Sequence, residues 1–162
     1  MEGKRGSECL LKSVSNIDFN PGGYPVVKVH FGLTHKKVDS VLIIQFFNAG
    51  IIWVHNSKRR WELTGGKLEP GETMVQAAVR ESYEESGAVV QASAIVPLGY
   101  DVLPTGHTTA VVSAKVERLQ AIPASSEIDD RQVWFKPVPD AERSFHDDIY
   151  AQIFQHIGWP DE

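Results

Sequence analysis

Cysteine is almost absent from this sequence. Cys9 stands alone among 162 residues, so no intrachain disulfide can form and a cysteine-based metal site is ruled out. Long apolar runs are absent as well: none approaches the ~20 residues that a membrane-spanning helix requires. The opening residues, MEGKRGSECLLKSV, have no continuous apolar core of the kind a secretory leader carries. Lysine and arginine never gather into a long basic stripe, and the net charge is −5, which argues against a general nucleic-acid-binding role. The short run Lys58, Arg59 and Arg60 is read as a solvated hairpin edge and given no site. There is no internal repeat and no low-complexity tract. The expectation is a soluble, cytoplasmic domain without a membrane or nucleic-acid polymer as partner, its oligomeric state left open.

With 42% hydrophobic residues, a chain of this length can bury one core, and residues 1–162 are taken as one domain with 1–24 as an N-terminal extension. That extension ends in NPGGY, a turn signal. VVKVHF follows Pro25 and is β-rich. VDSVLIIQFF (38–47) is a nearly continuous apolar run, as a strand covered on both faces would be. Asn48-Ala49-Gly50 turns it into IIWVHN, predicting a hairpin. AVVQASAIVPLGYDVL and HTTAVVSAKVER read as two further strands broken at Pro104-Thr105-Gly106. AIPASSEIDDRQ reads as loop, VWF as a short strand and KPVPDAERSF as a connection. DDIYAQIFQHIG predicts a closing amphipathic helix with Ile149, Ile153, Phe154 and Ile157 on one face and Gly158 after it. Strands surrounding one or two helices imply a mixed α/β or α+β domain.

Charge of one sign is concentrated in a single stretch, GGKLEPGETMVQAAVRESYEESGA, residues 65–88, which holds five glutamates. Pro70-Gly71 fits the central positions of a type II turn. Thr73 and Gln76 have capping-box spacing, and Gly87 suits a left-handed cap, predicting a helix from Thr73 to about Ser86. At ~100° per residue, Val75, Ala78, Val79, Ser82 and Tyr83 share one side. Glu81, Glu84 and Glu85 fall within an arc of about 100° on another, beside Ala77, which leaves them sterically open. Like charges at these spacings cost roughly 0.2–0.5 kcal/mol per pair, and Arg80 offsets only part of that. Such a cluster is either a solvated face or an oxygen-ligand site for a hard cation such as Mg²⁺, with the Gly65-Gly66 pair letting backbone approach a ligand.

The spacing favours the second reading. Gly66, five residues, Glu72, seven residues, Arg80-Glu81, two residues, Glu84-Glu85, one residue and Gly87-Ala88 together resemble the Nudix box. Ser82, where the family usually has an aliphatic residue, and Thr64, where many members have proline, depart from the pattern at positions that shape core and loop. The resemblance is firm over 62–88 and looser over 38–157. It implies an α/β/α sandwich around a mixed sheet and a metal-dependent pyrophosphohydrolase of nucleoside diphosphates linked to another group. It also implies Mg²⁺ (Mn²⁺ as substitute) on Glu81, Glu84, Glu85 and the Gly65 carbonyl, with Glu127 as a further ligand. Arg80 and Glu72 would pair to brace loop against helix. Glu81, Glu84 or an acid among Glu127, Asp129 and Asp130 would take the proton of the attacking water.

For the substrate, LPTGHTTAVVSAKVER and FHDDIYAQIF resemble segments of MutT-like enzymes that hydrolyse oxidised nucleoside triphosphates to monophosphate and pyrophosphate. That comparison makes Asp147 and Asp148 base-binding candidates, against the plainer reading that one of them caps the final helix. Trp53 and Trp61 read as core or rim aromatics and His107 as a strand-end histidine. Two alternatives stand beside the MutT-like reading. One is hydrolysis of ADP-ribose or a dinucleoside polyphosphate, for which Pro104 does not discriminate. The other is a nucleotide-sensing domain without catalysis, disfavoured because Glu72, Glu81, Glu84 and Glu85 are all present.

Overall fold

The computed structural model describes residues 18–160. Cys9 and most of the predicted N-terminal extension lie outside the described residues. Among the described residues, ten strands and two α-helices follow in chain order. They are β1 (Val29–Phe31), β2 (Ser40–Phe47), β3 (Gly50–Asn56), β4 (Trp61–Glu62), β5 (Thr64–Lys67), α1 (Met74–Ser86) and β6 (Ala88–Val89). Then come β7 (Ile95–Val102), β8 (Thr108–Lys115), β9 (Arg118–Leu119), β10 (Ile128–Trp134) and α2 (Ile149–Ile157). The main sheet runs β1-β7-β8-β2-β3-β10, with β4 on β3 and β5 on β2, while β6 and β9 form a separate pair. β2 and β8 are parallel and the other pairings antiparallel, so the sheet is mixed, as expected.

The apolar run of β2 is explained by its two covered faces. Val41 and Ile43 join Ile52, Val54, Val112 and the α1 residues Ala77 and Ala78 in one core. Ile44 joins Ile51, Trp53, Val111 and the α2 residues Ile153 and Phe154 in the other. Alternation along each strand thus feeds two helices on opposite sides, which is the α/β/α sandwich. Each fully buried aliphatic side chain contributes about 1.5–3 kcal/mol. Trp53, fully buried, meets Tyr150 edge to face at 5.4 Å, and the Tyr150 hydroxyl accepts from Leu63 N at 3.1 Å. Asn48 and Ala49 both take positive φ (49° and 66°), giving the predicted hairpin.

β2 changes partner along its length. Ser40–Ile43 pair with β5, while Phe46 and Phe47 pair with β3. Gln45 lies between the two pairings, fully buried. Its amide donates to Ser86 Oγ at 3.0 Å, and its carbonyl accepts from Thr64 Oγ1 at 3.1 Å and from Ser86 Oγ at 3.2 Å. Thr64, one of the two departures from the family pattern, is therefore a hydrogen-bond donor to the strand split, and a proline could not replace it in that role.

Three expectations are corrected. IDDRQ is strand, not loop: β10 is an edge strand, so its Asp129, Asp130 and Gln132 face water while Ile128 faces the core. The strand predicted from VVKVHF covers only Val29–Phe31. On α1, Tyr83 is exposed, whereas Ala77, placed on the open side by helical spacing, is fully buried. The helix lies deeper than an amphipathic wheel implies because strand and loop segments cover it on more than one flank.

Ser82 is fully buried and its hydroxyl has no hydrogen-bond partner. Removing an unsatisfied buried hydroxyl relieves its desolvation cost of about 1 kcal/mol or more. Ser82→Ala is expected to raise the melting temperature by ~2–4 °C, measured calorimetrically, for a domain of this size.

Candidate functional site

The loop from β5 into α1 forms as its sequence dictates. Gly71 has φ 77°, and Glu72 N donates to Glu69 O at 3.0 Å, closing the turn on Pro70-Gly71. Both halves of the capping box are present: Gln76 N donates to Thr73 Oγ1 at 3.1 Å and Thr73 N to the Gln76 side chain at 2.9 Å. Gly87 ends the helix in the left-handed region.

Arg80 is the hub of the cluster. Its Nε and Nη2 each donate to one Glu72 oxygen at 2.8 Å, a two-pronged pairing across eight residues. Nη2 also reaches Lys67 O at 3.0 Å, while Nη1 serves Glu81 at 2.8 Å and Glu84 at 3.0 Å. The pairing expected of Arg80 with Glu72 is thus present, and it extends to two glutamates of the predicted metal set. The guanidinium holds the Glu72 carboxyl down at about 2. Burial pushes Glu81 up, and Arg80 opposes that shift.

A Cβ at position 66 would meet the Glu81 carboxylate and push that side chain out of its present place, while a Cβ at position 65 would press on the backbone carbonyl of Val41 at 2.6 Å, so the closer steric demand for glycine is at 65. Glu85 lies on the same side, and Gly65 N donates to its carboxylate at 2.8 Å. Burial pushes Glu85 up to about 8, reinforced by the charges of Glu81 and Glu62. Glu62 is itself 4% exposed and held by Arg59 through Nε (3.1 Å) and Nη2 (2.9 Å). Sequence reasoning missed Glu62. Its signal was a glutamate three residues after Arg59, just before the box.

Among the described residues, no three acidic, histidine or cysteine side chains converge closely enough to hold a cation in the present arrangement. Arg80 engages Glu81 and Glu84, and Glu85 faces the Gly65 amide instead. The donor set nevertheless fits a hard divalent ion. It offers oxygen donors alone, carboxylates and the Gly65 carbonyl, it carries more negative charge than Arg80 and Arg59 supply, and Gly66 leaves the Glu81 carboxylate a space that a side chain would fill.

The remaining sequence candidates lie further out. Glu127 is exposed, pairs with Lys58 at 3.4 Å, and is not drawn into contact with the box, although Arg59 feels its charge together with those of Glu62 and Glu85. Asp129 meets His55 Nδ1 at 2.7 Å. Asp147 and Asp148 border a cavity of about 380 Å³ together with Asn20, Tyr24, Arg143 and His146. Asp147 Oδ1 accepts from Ile149 N at 3.3 Å, a weak cap, and Asp148 makes no cap bond but accepts from Asn20 Nδ2 at 3.1 Å. Trp53 is core, Trp61 stacks edgewise on Trp134, and His107 Nε2 meets Ser40 Oγ at 2.7 Å.

A mixed sheet between two helices, with a glycine loop leading into a carboxylate-bearing helix, defines the class of protein. The sequence model of the NUDIX domain matches residues 36–155, and the chain belongs to that family. It is similar to the mouse 8-oxo-dGDP phosphatase NUDT18, 34% identical over 92 residues, which are 53% of this chain and 27% of the relative. The human 8-oxo-dGDP phosphatase NUDT18 is 35% identical over 81 residues, 46% of this chain and 24% of the relative. The chain thus matches about a quarter of the length of these curated relatives. In fold it resembles the Bacillus subtilis pyrophosphohydrolase BsRppH, with TM-score 0.69 and 21% identity, covering 88% of this chain and 98% of that one.

The Glu85 shift has a measurable sign. A carboxyl raised in the folded state from its ordinary 4.5 to about 8 favours folding fully below pH 4.5, and that contribution is lost as pH rises through 8. Glutamine at this position does not titrate. In chelator, the melting temperature of Glu85→Gln relative to the unsubstituted protein is therefore expected to rise between about pH 5 and about pH 9. A constant difference would contradict the burial of the charge.

Proposed function

We propose that this chain is a Mg²⁺-dependent hydrolase of a nucleoside triphosphate, releasing monophosphate and pyrophosphate, with an oxidised guanine nucleotide as the favoured substrate. The observation that carries the reading is the Arg80 hub. It ties the β5–α1 loop to the helix through Glu72 and Lys67 O, and so presents Glu81 beside Gly66 and Glu85 beside Gly65, with Glu84 held on the same guanidinium. A purely solvated acidic face would have no need of that bracing.

In this reading Glu81, Glu84, Glu85 and the Gly65 carbonyl hold the ions, with Glu127 as an additional, more distant ligand. Bound divalent ions neutralise phosphate charge, polarise the phosphorus centre and acidify water. The chain's own residues do the rest. Glu72 and Arg80 fix the loop; they position ligands and do not touch the substrate. Hydrolysis of the triphosphate forms a bond from water oxygen to the α- or β-phosphorus and breaks the phosphorus–oxygen bond that bridges them, whose electron pair leaves with pyrophosphate or with the nucleoside monophosphate respectively. The water's proton passes to a carboxylate, for which Glu84 is the most exposed of the box candidates and Glu81 the alternative. Asp147 and Asp148, which line the cavity before α2, are the base-binding candidates.

A nucleoside diphosphate is a second reading, favoured by the activity named for the NUDT18 relatives. The chemistry at the box is the same for both, since each substrate carries a phosphoanhydride.

The deciding experiment is a hydrolysis panel of ordinary and 8-oxo nucleoside di- and triphosphates, ADP-ribose and a dinucleoside tetraphosphate, with products identified, in Mg²⁺ and in chelator. Turnover is expected with Mg²⁺ only, highest on the 8-oxo-guanine nucleotides. Glu84→Gln is expected to fold normally and lose on the order of 100-fold or more of kcat, as when a group stabilising transition-state charge is removed. Near-normal turnover would overturn its role, and turnover of ADP-ribose alone would overturn the substrate.

A further inference from the structure

A chain of net charge −5 keeps two adjacent lysines without a counter-charge beside its box loop. Lys36 and Lys37 lie between β1 and β2, and among the described residues neither ammonium has an acidic partner. Other cations are taken: Lys58 by Glu127, Arg59 by Glu62, Arg80 by the glutamates and Arg143 by Asp140. The two lysines line a cavity of about 350 Å³ together with Leu68, Glu72, Met74 and Tyr100. Glu72 does not neutralise them, because Arg80 and Glu69 N already hold both of its oxygens.

The walls of this cavity are fixed by the backbone. Gly32 N donates to Leu98 O at 2.9 Å and Asp39 N to Thr108 O at 2.8 Å, so the lysine loop is pinned at both ends. Leu68 N donates to Asp39 O at 2.9 Å, which ties the same loop to the box loop. Within it, His35 Nδ1 lies 2.8 Å from Lys37 O, closing the turn that carries the two ammoniums. The opposite wall comes from β7, whose register shifts between Pro97 and Gly99. Tyr100 packs against the rings of His30 and His35, with centroids at 5.0 and 5.1 Å, and brings a hydroxyl donor to the cavity.

This place is distinct from both parts of the site described above. Tyr100 is opposite Ala110, Ala110 opposite Val41, and Val41 opposite Gly66. Residues opposite one another share a face, and Val41 belongs to the core under α1, so the cavity opens on the α1 side of the sheet. Three strand spacings of ~4.8 Å put Tyr100 about 14 Å from Gly66 and the Glu81 carboxylate beside it. The cavity bordered by Asp147 and Asp148 shares no lining residue with this one.

We propose that this cavity is a second, non-catalytic binding site for a phosphate-bearing anion, held by Lys36 and Lys37 against the box loop. Two neighbouring ammoniums, each with three donors, match a group that carries more than one negative charge and several acceptor oxygens. A carboxylate offers one charge and would leave one lysine unpaired. The volume is that of a small-molecule site, with room for pyrophosphate or a nucleotide. The inference does not depend on the nucleotide-hydrolase reading, although that reaction would supply the anion in both of its products.

The test is a titration with sodium pyrophosphate, orthophosphate and guanosine monophosphate in chelator at fixed ionic strength, followed by amide chemical shifts and by calorimetry. Chelator removes divalent ions, so neither turnover nor metal-held phosphate contributes. Saturable binding is expected, with shifts centred on residues 34–38, 68–74 and 99–100, and the tightest of the three probes names the source of the phosphate group. The double variant Lys36→Gln, Lys37→Gln is expected to weaken that binding by about 10-fold or more, as when hydrogen bonds to charged groups are lost. The control Lys115→Gln, Lys136→Gln removes the same charge elsewhere on the surface and is expected to leave Kd within about twofold. Equal weakening in both double variants would reduce the effect to net charge and overturn the site. Shifts centred on Glu81–Glu85 or on residues 143–148 would overturn it too, as would the lack of saturation by about 10 mM. Turnover is not read in this experiment, so a failure of the hydrolase reading is seen separately, in the hydrolysis panel.

Discussion

Arg80 joins two segments that the chain's own charge would otherwise push apart. Glu69, Glu72, Glu81 and Glu84 all approach its guanidinium, two of them from the loop and two from the helix. A lysine could not replace it, because a flat fork of five donors is needed to serve Glu72 with two prongs while still reaching Lys67 O and two further carboxylates. The arrangement of the glycine loop against α1, and hence the proximity of Gly65 and Gly66 to Glu85 and Glu81, depends on this one side chain.

The sheet contributes the other constraint. Because β2 pairs first with β5 and then with β3, the sheet has a split beside its central strand. Gln45, Thr64 and Ser86 fill that split with a fully buried hydrogen-bonded set. Such a set is costly if one member is missing and specific if all are present. It ties the last turn of α1 to β2 and to the residue just before Gly65, so the carboxylate helix is fixed at two points: by Arg80 at its middle, through the loop, and by Ser86 at its C-terminus.

What was legible in the sequence was local. The turn at Pro70-Gly71, the capping box at Thr73, the cap at Gly87 and the glutamate spacing are each decided within a few residues by backbone sterics and helical pitch. The closing helix was equally plain from its period. β10 was not legible, because a strand at a sheet edge needs apolar residues on one face only, and Asp129, Asp130, Arg131 and Gln132 obscure the alternation. The burial of Ala77 was misjudged for a related reason: helical geometry gives direction around an axis but not how many neighbours surround it.

The sequence by itself determined the elements of the box, the family, and the chemistry its carboxylates are suited to, because those depend on spacing along one short segment. Only the tertiary structure decided which of those carboxylates are buried, that Arg80 engages Glu81 and Glu84 as well as Glu72, that Glu62 joins the charge field, and that Lys36, Lys37 and Tyr100 line one cavity with the box loop. Burial and long-range electrostatics depend on which distant segments the sheet brings together. Pairings such as β7 with β1 and β8 follow from the whole core finding its lowest free energy, and no local pattern specifies them.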